Sequence, residues 1–573
     1  MPSVDSALVT VDSAAPSPLE ARRHDLDALR AFAMLLGIVL HVSLSFFPMF
    51  WPVQDTQKTD AFGLLFLMIH GFRMPLFFLL SGYFTMMIYR KRGLAELLRQ
   101  RGKRILIPCL VGLVTVVPLM KFATGWALSR SVLAAPALKE PLFDAIRSND
   151  PRAVQDRIGQ GDKPDQLDAR FKVSALSWAC LTGNAEVVEV LLNANANVNI
   201  PNGDGNTPIL AAAFVGQDKI VQRLLENGAE PNGSNPNGTR AIDSANAPHE
   251  LTTGVLQLLG LPAPDLDQME AGRARVRELL RPLSPEAGKV ADTAPSAVQR
   301  ADSFLKASVA AYMSSMKSGR FQIGSGARSF HLVTTSVFDH LWFLWFLCWM
   351  VAGFAIAERL GFWSLHGPLR GNRNLWLLPA TILPQLFMGA EMPVFGPDTS
   401  TGLLPMPHLL VYYAIFFAFG AAHFDVREQQ QNLGKRYWLL IGSSVFVVLP
   451  LGLVTMGQRM PSAMIQPIYA WAVSFGCMGL FRRYLPFPNS KIRYLSDASY
   501  WMYLMHLPLV IGLQSLFQGL SWPALLKFAL INLISMGLLL VTYQLLVRNT
   551  VIGVLLNGRR ADGPELPSRA TVS

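Results

Sequence analysis

The chain alternates long apolar stretches with short connectors rich in Lys and Arg, and one connector is far longer than the rest. A helix needs roughly 20 apolar residues to cross a hydrocarbon core about 30 Å thick. Ten stretches reach that length, near 28–48, 61–88, 105–128, 338–357, 374–392, 408–424, 437–456, 462–481, 494–518 and 523–547. Each is read as a transmembrane helix, because a helix satisfies its own backbone polar groups where no water is available. The first is expected to stay in the membrane rather than act as a cleaved leader. No small-residue cleavage site follows it, and the apolar run continues through Phe46, Phe47, Pro48 and Trp51.

Orientation follows from where the basic residues fall. With the N-terminus inside, the clusters at Arg22 and Arg23, Arg90 to Arg104, Arg482 to Arg493 and Arg559 with Arg560 all lie on the inner side. Only Lys58 and Arg459 fall in short outer loops. This predicts a multi-pass membrane protein with both termini on the inner, cytoplasmic side and the long connector, roughly 129–336, on the far side of the membrane.

Within that connector the sequence repeats every 33 residues. Ser174, Thr207 and Arg240 are equivalent starts, followed at matching offsets by Gly183 and Gly216, Leu191 and Leu224, and Asn199 and Asn232. The period, the TPxLxAA start and the closing LL-xxGAxxN pattern resemble ankyrin repeats. Such a unit cannot bury its apolar face alone, so three or four stacked copies with atypical ends are expected. The fold class is therefore all-α: a polytopic membrane helix bundle of about ten transmembrane helices with an inserted soluble ankyrin-repeat solenoid. The expected division is 1–25 cytoplasmic tail, 26–128 first transmembrane part, 140–260 repeats, 261–329 linker, 330–550 second transmembrane part and 551–573 cytoplasmic tail.

Composition agrees with this division. Hydrophobic residues make up 51%, charged residues 16%, and the mean hydropathy is +0.31, which excludes an ordinary soluble enzyme. The net charge of +11 belongs to the membrane part, where it sits in short clusters beside apolar runs, so no nucleic-acid partner is expected. Four cysteines, Cys109, Cys180, Cys348 and Cys477, lie too far apart to imply a disulfide framework or a thiolate metal site.

Polar side chains inside membrane helices are costly and mark function or interhelical hydrogen bonds. In the first span, Arg30 and His41 are eleven residues apart. That spacing puts them on one face, about 16 Å apart along the axis. The second span carries His70, Arg73, Pro75, Ser81, Gly82 and Tyr83. Pro75 predicts a bend there, beside a cavity. Ser81 and Gly82 suit close helix packing equally well. The basic run Arg101, Lys103 and Arg104 follows at the inner surface, where topology-setting charge or headgroup contact is the plainer reading. His340 and Trp342 open the fourth span, and Tyr500, Tyr503 and His506 lie on one face of the ninth. His41, His70 or Arg73, His340 and His506 could converge from four helices. No metal-ligand spacing is present and no metal site is expected; there is also no nucleophile elbow and no phosphate-binding glycine loop.

Taken together, LDALRAFAMLLGIVLHVSL, HGFRMPLFFLLSGYF, the R-x-x-R-x-x-x-P of Arg101, Arg104 and Pro108, DHLWFLWFL and DASYWMYLMHLPL resemble the membrane acyltransferases of acyltransferase family three. Within the family they are most similar to the branch that adds succinyl groups to osmoregulated periplasmic glucans. The resemblance implies that His41 is the essential histidine with Arg30 as its partner. It implies that Arg101 and Arg104, with Lys103, bind acyl-CoA, and that Arg73, Ser81, Tyr83, His340, Trp342, Tyr503 and His506 belong to the substrate pocket. It further implies an acyl-CoA donor, possibly succinyl-CoA, no bound cofactor, and a hydroxyl of an extracytoplasmic glycan as acceptor. Ankyrin repeats depart from the family pattern and are expected to serve as a recognition arm for a protein partner or the glycan. The alternative is a transporter or flippase in which intramembrane histidines relay protons; the intact Arg30–His41 and Arg101–Arg104 pairs weigh against a scaffold with no activity.

Overall fold

In a computed structural model the described residues are 23–49, 51–134, 140–168, 171–235, 238–247, 249–262, 265–283, 297–324, 330–361, 375–389, 394–424, 433–456 and 458–557. Most of the two expected tails lies outside them. The chain divides into two units, Met1–Val132 with Arg300–Ser573, and Leu133–Gln299.

In the first unit, seven helical runs among the described residues are long and apolar enough to cross a membrane: His24–Ser43, Asp60–Arg130, Asp339–Arg359, Pro407–Phe424, Tyr437–Val454, Arg459–Tyr484 and Ala524–Val547. The chain is a membrane protein. The expected count of ten differs for identifiable reasons. Asp60–Arg130 contains two of the expected spans in one run, broken at Gly93 (φ 75°) and continued through a π-helical turn at Gly102–Leu106. Ser490–Phe517 is a 28-residue helix that stays outside the seven. It carries Lys491, Arg493 and Asp497 near its start. Of the expected span 374–392, the described residues 375–389 hold two four-residue helices, Leu377–Ala380 and Ile382–Gln385, in place of one long helix. Each contains a proline, Pro379 and Pro384, which lacks the amide hydrogen a continuous helix needs.

Pro75 lies inside its helix, and the interruption falls at Gly93 instead of at the expected bend. Small residues set the tightest helix contact. A Cβ on Gly82 would stand 1.9 Å from the Phe417 carbonyl oxygen, and one on Gly420 1.9 Å from that of Leu79. The helices of Ser81 and of Phe417 thus meet backbone to backbone, which in lipid supplies the packing that water-driven burial cannot. A core of Phe77, Phe78, Phe346, Tyr413, Phe416, Trp471 and their neighbours fills the bundle. Helix Ala297–Met316, in the region expected as a linker, reaches this unit through Tyr312, whose hydroxyl lies 2.9 Å from His408 Nδ1.

The second unit is built from pairs of short helices packed on one another. Ser174, Thr207 and Arg240, the starts read from the 33-residue period, are the residues immediately before helices Ala175–Thr182, Pro208–Phe214 and Ala241–Ser244. Gly183 and Gly216, equivalent in the repeat, both have φ 76°, a conformation that glycine adopts without a Cβ clash. Leu191 and Leu224 are fully buried between successive pairs. Helix Leu266–Leu280 closes the stack: its buried Arg273 donates to the carbonyls of Phe214 and Ala247 and to the Thr252 hydroxyl.

Candidate active site

The first helix, His24–Ser43, carries His41 in its last turn. Gly37, one turn earlier, leaves room for a neighbour: a Cβ there would stand 2.1 Å from Arg73 Nη1. Arg73 therefore lies against the first helix just below His41. The His41 ring is flanked by His506 (ring centres 5.2 Å apart, tilted 40°) and by Trp51 (5.8 Å, 20°). His340 meets His506 edge-on at 5.9 Å. Three imidazoles and a guanidinium from four separate segments thus form one chamber.

Hydrogen-bond partners assign the tautomers of two of these rings. Nδ1 of His506 faces the carbonyl oxygens of Tyr503 (2.7 Å) and Met502 (3.2 Å), and Nε2 of His340 faces that of Leu504 (3.1 Å). A carbonyl only accepts, so those nitrogens carry hydrogen, and His506 Nε2 and His340 Nδ1 keep their lone pairs. Both of these atoms are buried without a hydrogen-bond partner among the described residues, as are His41 Nδ1 and Arg73 Nε. Buried polar atoms are ordinarily satisfied, so four orphans around one chamber mark a place built for a polar ligand. His340 is held by its backbone as well. The Tyr503 hydroxyl donates to its carbonyl (2.7 Å), and Asp339 before it has φ +43°, an uncommon conformation for a residue with a side chain.

At the other end of the same two helices lies a cationic group. Arg30 donates to the Ser496 hydroxyl (2.8 Å) and lies 3.7 Å from Asp27. Arg101 donates to the Thr85 hydroxyl (3.0 Å), and its Nε is buried without a partner among the described residues. The Tyr500 hydroxyl donates to the Arg104 carbonyl (2.7 Å). Arg30 is close enough for its charge to act on both Arg101 and Arg104. The π-helical turn Gly102–Leu106 sets these arginines, and Lys103 within it is exposed. Guanidinium groups gathered in this way suit phosphate, which they can grip bidentately.

The residues singled out from the sequence therefore fall into two groups. His41, Arg73, His340, Tyr503 and His506 meet in the chamber, while Arg30 joins Arg101 and Arg104 rather than His41. Arg73, not His70, is the member its helix contributes; His70 stacks on Phe66 at 5.0 Å and lies under Gly396. Tyr83 is buried and accepts from Arg23 (3.4 Å). The Ser81 carbonyl accepts from the Thr85 hydroxyl (2.7 Å). Trp342 packs in the aromatic core against Phe346 and Tyr413. Sequence reasoning missed Trp51 and Gln514 beside His41, and Asp55 with Lys527 behind them. Gln514 and Lys527 were detectable, since each interrupts an apolar run that reads as a membrane span.

The helix bundle with its two polar groups and the inserted repeats are those of a membrane acyltransferase with an ankyrin-repeat insertion, as the family matches show. Residues 23–144 and 297–544 match the acyltransferase domain family, to which the chain belongs, and residues 142–235 match ankyrin repeats in three copies. Over 105 residues the chain is 38% identical to Glucans biosynthesis protein C of Shigella dysenteriae serotype 1 (strain Sd197) and of Escherichia coli (strain SMS-3-5 / SECEC). It is 37% identical to that of Escherichia coli (strain K12). These matches span 18% of this chain and 26% of the relatives' length.

Proposed function

We propose that the protein moves an acyl group, succinyl by preference, from cytoplasmic acyl-CoA to a hydroxyl of an extracytoplasmic glycan such as a periplasmic glucan. One observation carries this reading: the first helix and Ser490–Phe517 run side by side, joined by Arg30 to Ser496 at one end and by His41 against His506 at the other. Eleven residues of helix separate the arginine end from the histidine end by about 16 Å. A donor bearing phosphates and a reactive group at the far end of a chain suits that span.

The arginine end faces the cytoplasm and holds the phosphates through Arg101, Arg104 and Arg30, with Lys103 at the rim. The thioester reaches the chamber, where a sugar hydroxyl entering from the periplasmic side attacks its carbonyl carbon. An alcohol is a poor nucleophile at neutral pH, and neutral His41 takes its proton as the carbon–oxygen bond forms. The carbon–sulfur bond then breaks, the thiolate leaves and takes up a proton, and CoA remains on the cytoplasmic side. Arg73, with its unpartnered Nε, stabilises the oxyanion of the tetrahedral intermediate. His340 and His506, each with a free lone pair, accept hydrogen bonds from the acceptor or from protonated His41. In this reading the chain lies in the inner membrane with both termini cytoplasmic, and the periplasmic ankyrin repeats act as a recognition arm for the glycan or a partner protein.

The test uses purified protein in vesicles, with acyl-CoA on one side and glucan on the other. Thiol release that depends on the acceptor supports transfer, and the mass added to the glycan identifies the donor. His41→Ala should abolish release, whereas Arg101→Ala with Arg104→Ala should weaken donor binding. Wild-type rates in His41→Ala would reject the base.

A further inference from the structure

The connector between the first two helices folds back over His41, and a single amide ties it there. Gln514, 1% exposed, uses its whole side chain. Its Oε1 accepts from Trp51 Nε1 (2.8 Å), and its Nε2 donates to the carbonyls of His41 (3.0 Å) and Val42 (3.1 Å). Those carbonyls belong to the last turn of the first helix, where no amide of the next turn is available to them. One glutamine therefore fixes the backbone that carries His41 and the indole that covers the His41 ring. With Trp51 and His506 both packed against it, the imidazole has little freedom to change rotamer.

We infer that Gln514 and Trp51 are positioning residues for His41, holding its ring edge toward the reacting hydroxyl. The inference rests on the transfer reading above for its catalytic part. A base must sit within hydrogen-bond reach of the proton it removes, and a displacement of about 1 Å costs on the order of 100-fold in rate. A purely structural role would be redundant here, because the connector has other anchors. Asp55 pairs with Lys527 (2.6 Å), the Ser45 hydroxyl donates to the Val53 carbonyl (2.8 Å), and Phe46 is fully buried against Phe62 and Phe528. Loss of the Trp51–Gln514 bond leaves these in place, so the variants should fold.

The experiment compares full-length wild type, Gln514→Met, Trp51→Ala and Trp51→Phe in lipid nanodiscs. Two readouts are used: acceptor-dependent thiol release, and the rate at which diethyl pyrocarbonate modifies His41, followed by peptide mass spectrometry. Gln514→Met and Trp51→Ala should lower kcat by roughly 10- to 100-fold with KM for acyl-CoA unchanged, and should speed modification of His41. Trp51→Phe keeps a ring over the imidazole and should recover most of both properties. Wild-type kcat in Gln514→Met and Trp51→Ala would overturn the inference, whatever happens to labelling, as would a loss confined to KM. If the wild type releases no thiol with any acceptor while labelling still rises in Trp51→Ala and Gln514→Met, the positioning of His41 stands and the transfer reading falls.

Discussion

Behind Trp51 the connector is pinned by an ion pair with almost no access to water. Lys527 Nζ lies 2.6 Å from Asp55 Oδ1, with side-chain exposures of 0% and 2%. Removing one partner of a buried pair leaves the other charge uncompensated and costs about 3–5 kcal/mol. The two single replacements should differ. In Lys527→Met, Asp55 keeps the Gln57 amide at 2.8 Å and still feels the charge of Lys58. In Asp55→Ala, the lysine retains the Leu520 carbonyl at 2.9 Å as its one hydrogen-bond partner among the described residues. Lys527→Met should therefore sit near 3 kcal/mol and Asp55→Ala near 5 kcal/mol. A domain of 150–250 residues loses roughly 2–4 °C in Tm per kcal/mol, and a larger one somewhat less. Drops of several degrees are expected, larger for Asp55→Ala. The double variant Asp55→Ala with Lys527→Met buries no charge and should lie closer to wild type than either single variant. Thermal unfolding in one detergent, with all four members of the cycle measured together, reads the order directly. Single variants within about 1 kcal/mol of wild type would show the pair to be hydrated and the reasoning wrong, because exposed pairs are worth no more than that.

Gly420→Ala should destabilise the bundle by about 1–3 kcal/mol. Its Cβ starts 1.9 Å from the Leu79 carbonyl oxygen, and thermal unfolding against an alanine at the open Gly512 position tests it. Arg273→Met should loosen helix Leu266–Leu280 by roughly 3 kcal/mol or more, since two carbonyls and a hydroxyl lose their donor at about 1–3 kcal/mol each. Hydrogen exchange of peptides across 266–280 would register this. Hydrogen bonds from Arg223 and Arg275 hold the carboxyls of Glu189 and Asp218 below their usual range. Their contribution is present above the ordinary carboxylate pKa and lost as pH falls through the lowered values. The exchange difference between wild type and Arg223→Gln with Arg275→Gln over residues 185–226 should be present at about pH 7 and vanish near pH 3. A difference unchanged at low pH would contradict it.

The repeats were legible in detail because their information is local. A 33-residue period places Ser174, Thr207 and Arg240 at helix starts and demands glycine where the chain turns left-handed, at Gly183 and Gly216. The shared face of Arg30 and His41 was equally readable, being a matter of helix pitch. Which residues meet across helices was not. Arg30 finds Ser496 and the charges of Arg101 and Arg104, and nothing in the spacing of either segment encodes that meeting. The helix continues through Pro75 without a break, whereas the segment of Pro379 and Pro384 is divided. One proline inside a long helix leaves a single carbonyl without its donor, whereas two within six residues divide a short one. Gln514 and Lys527 were passed over because the apolar runs around them dominated the reading, although an amide or ammonium in such a run always needs a partner.

Arg30 and its partner Ser496 are 466 positions apart, with the whole repeat unit between them. At about 5–20 residues per second, a ribosome takes on the order of half a minute to a minute and a half to cover that distance. Throughout that interval the newborn first helix carries its guanidinium without Ser496 and its imidazole without His506. The chamber of His41, Arg73, His340 and His506 can close only late in translation, when the helix that carries His506 has been made.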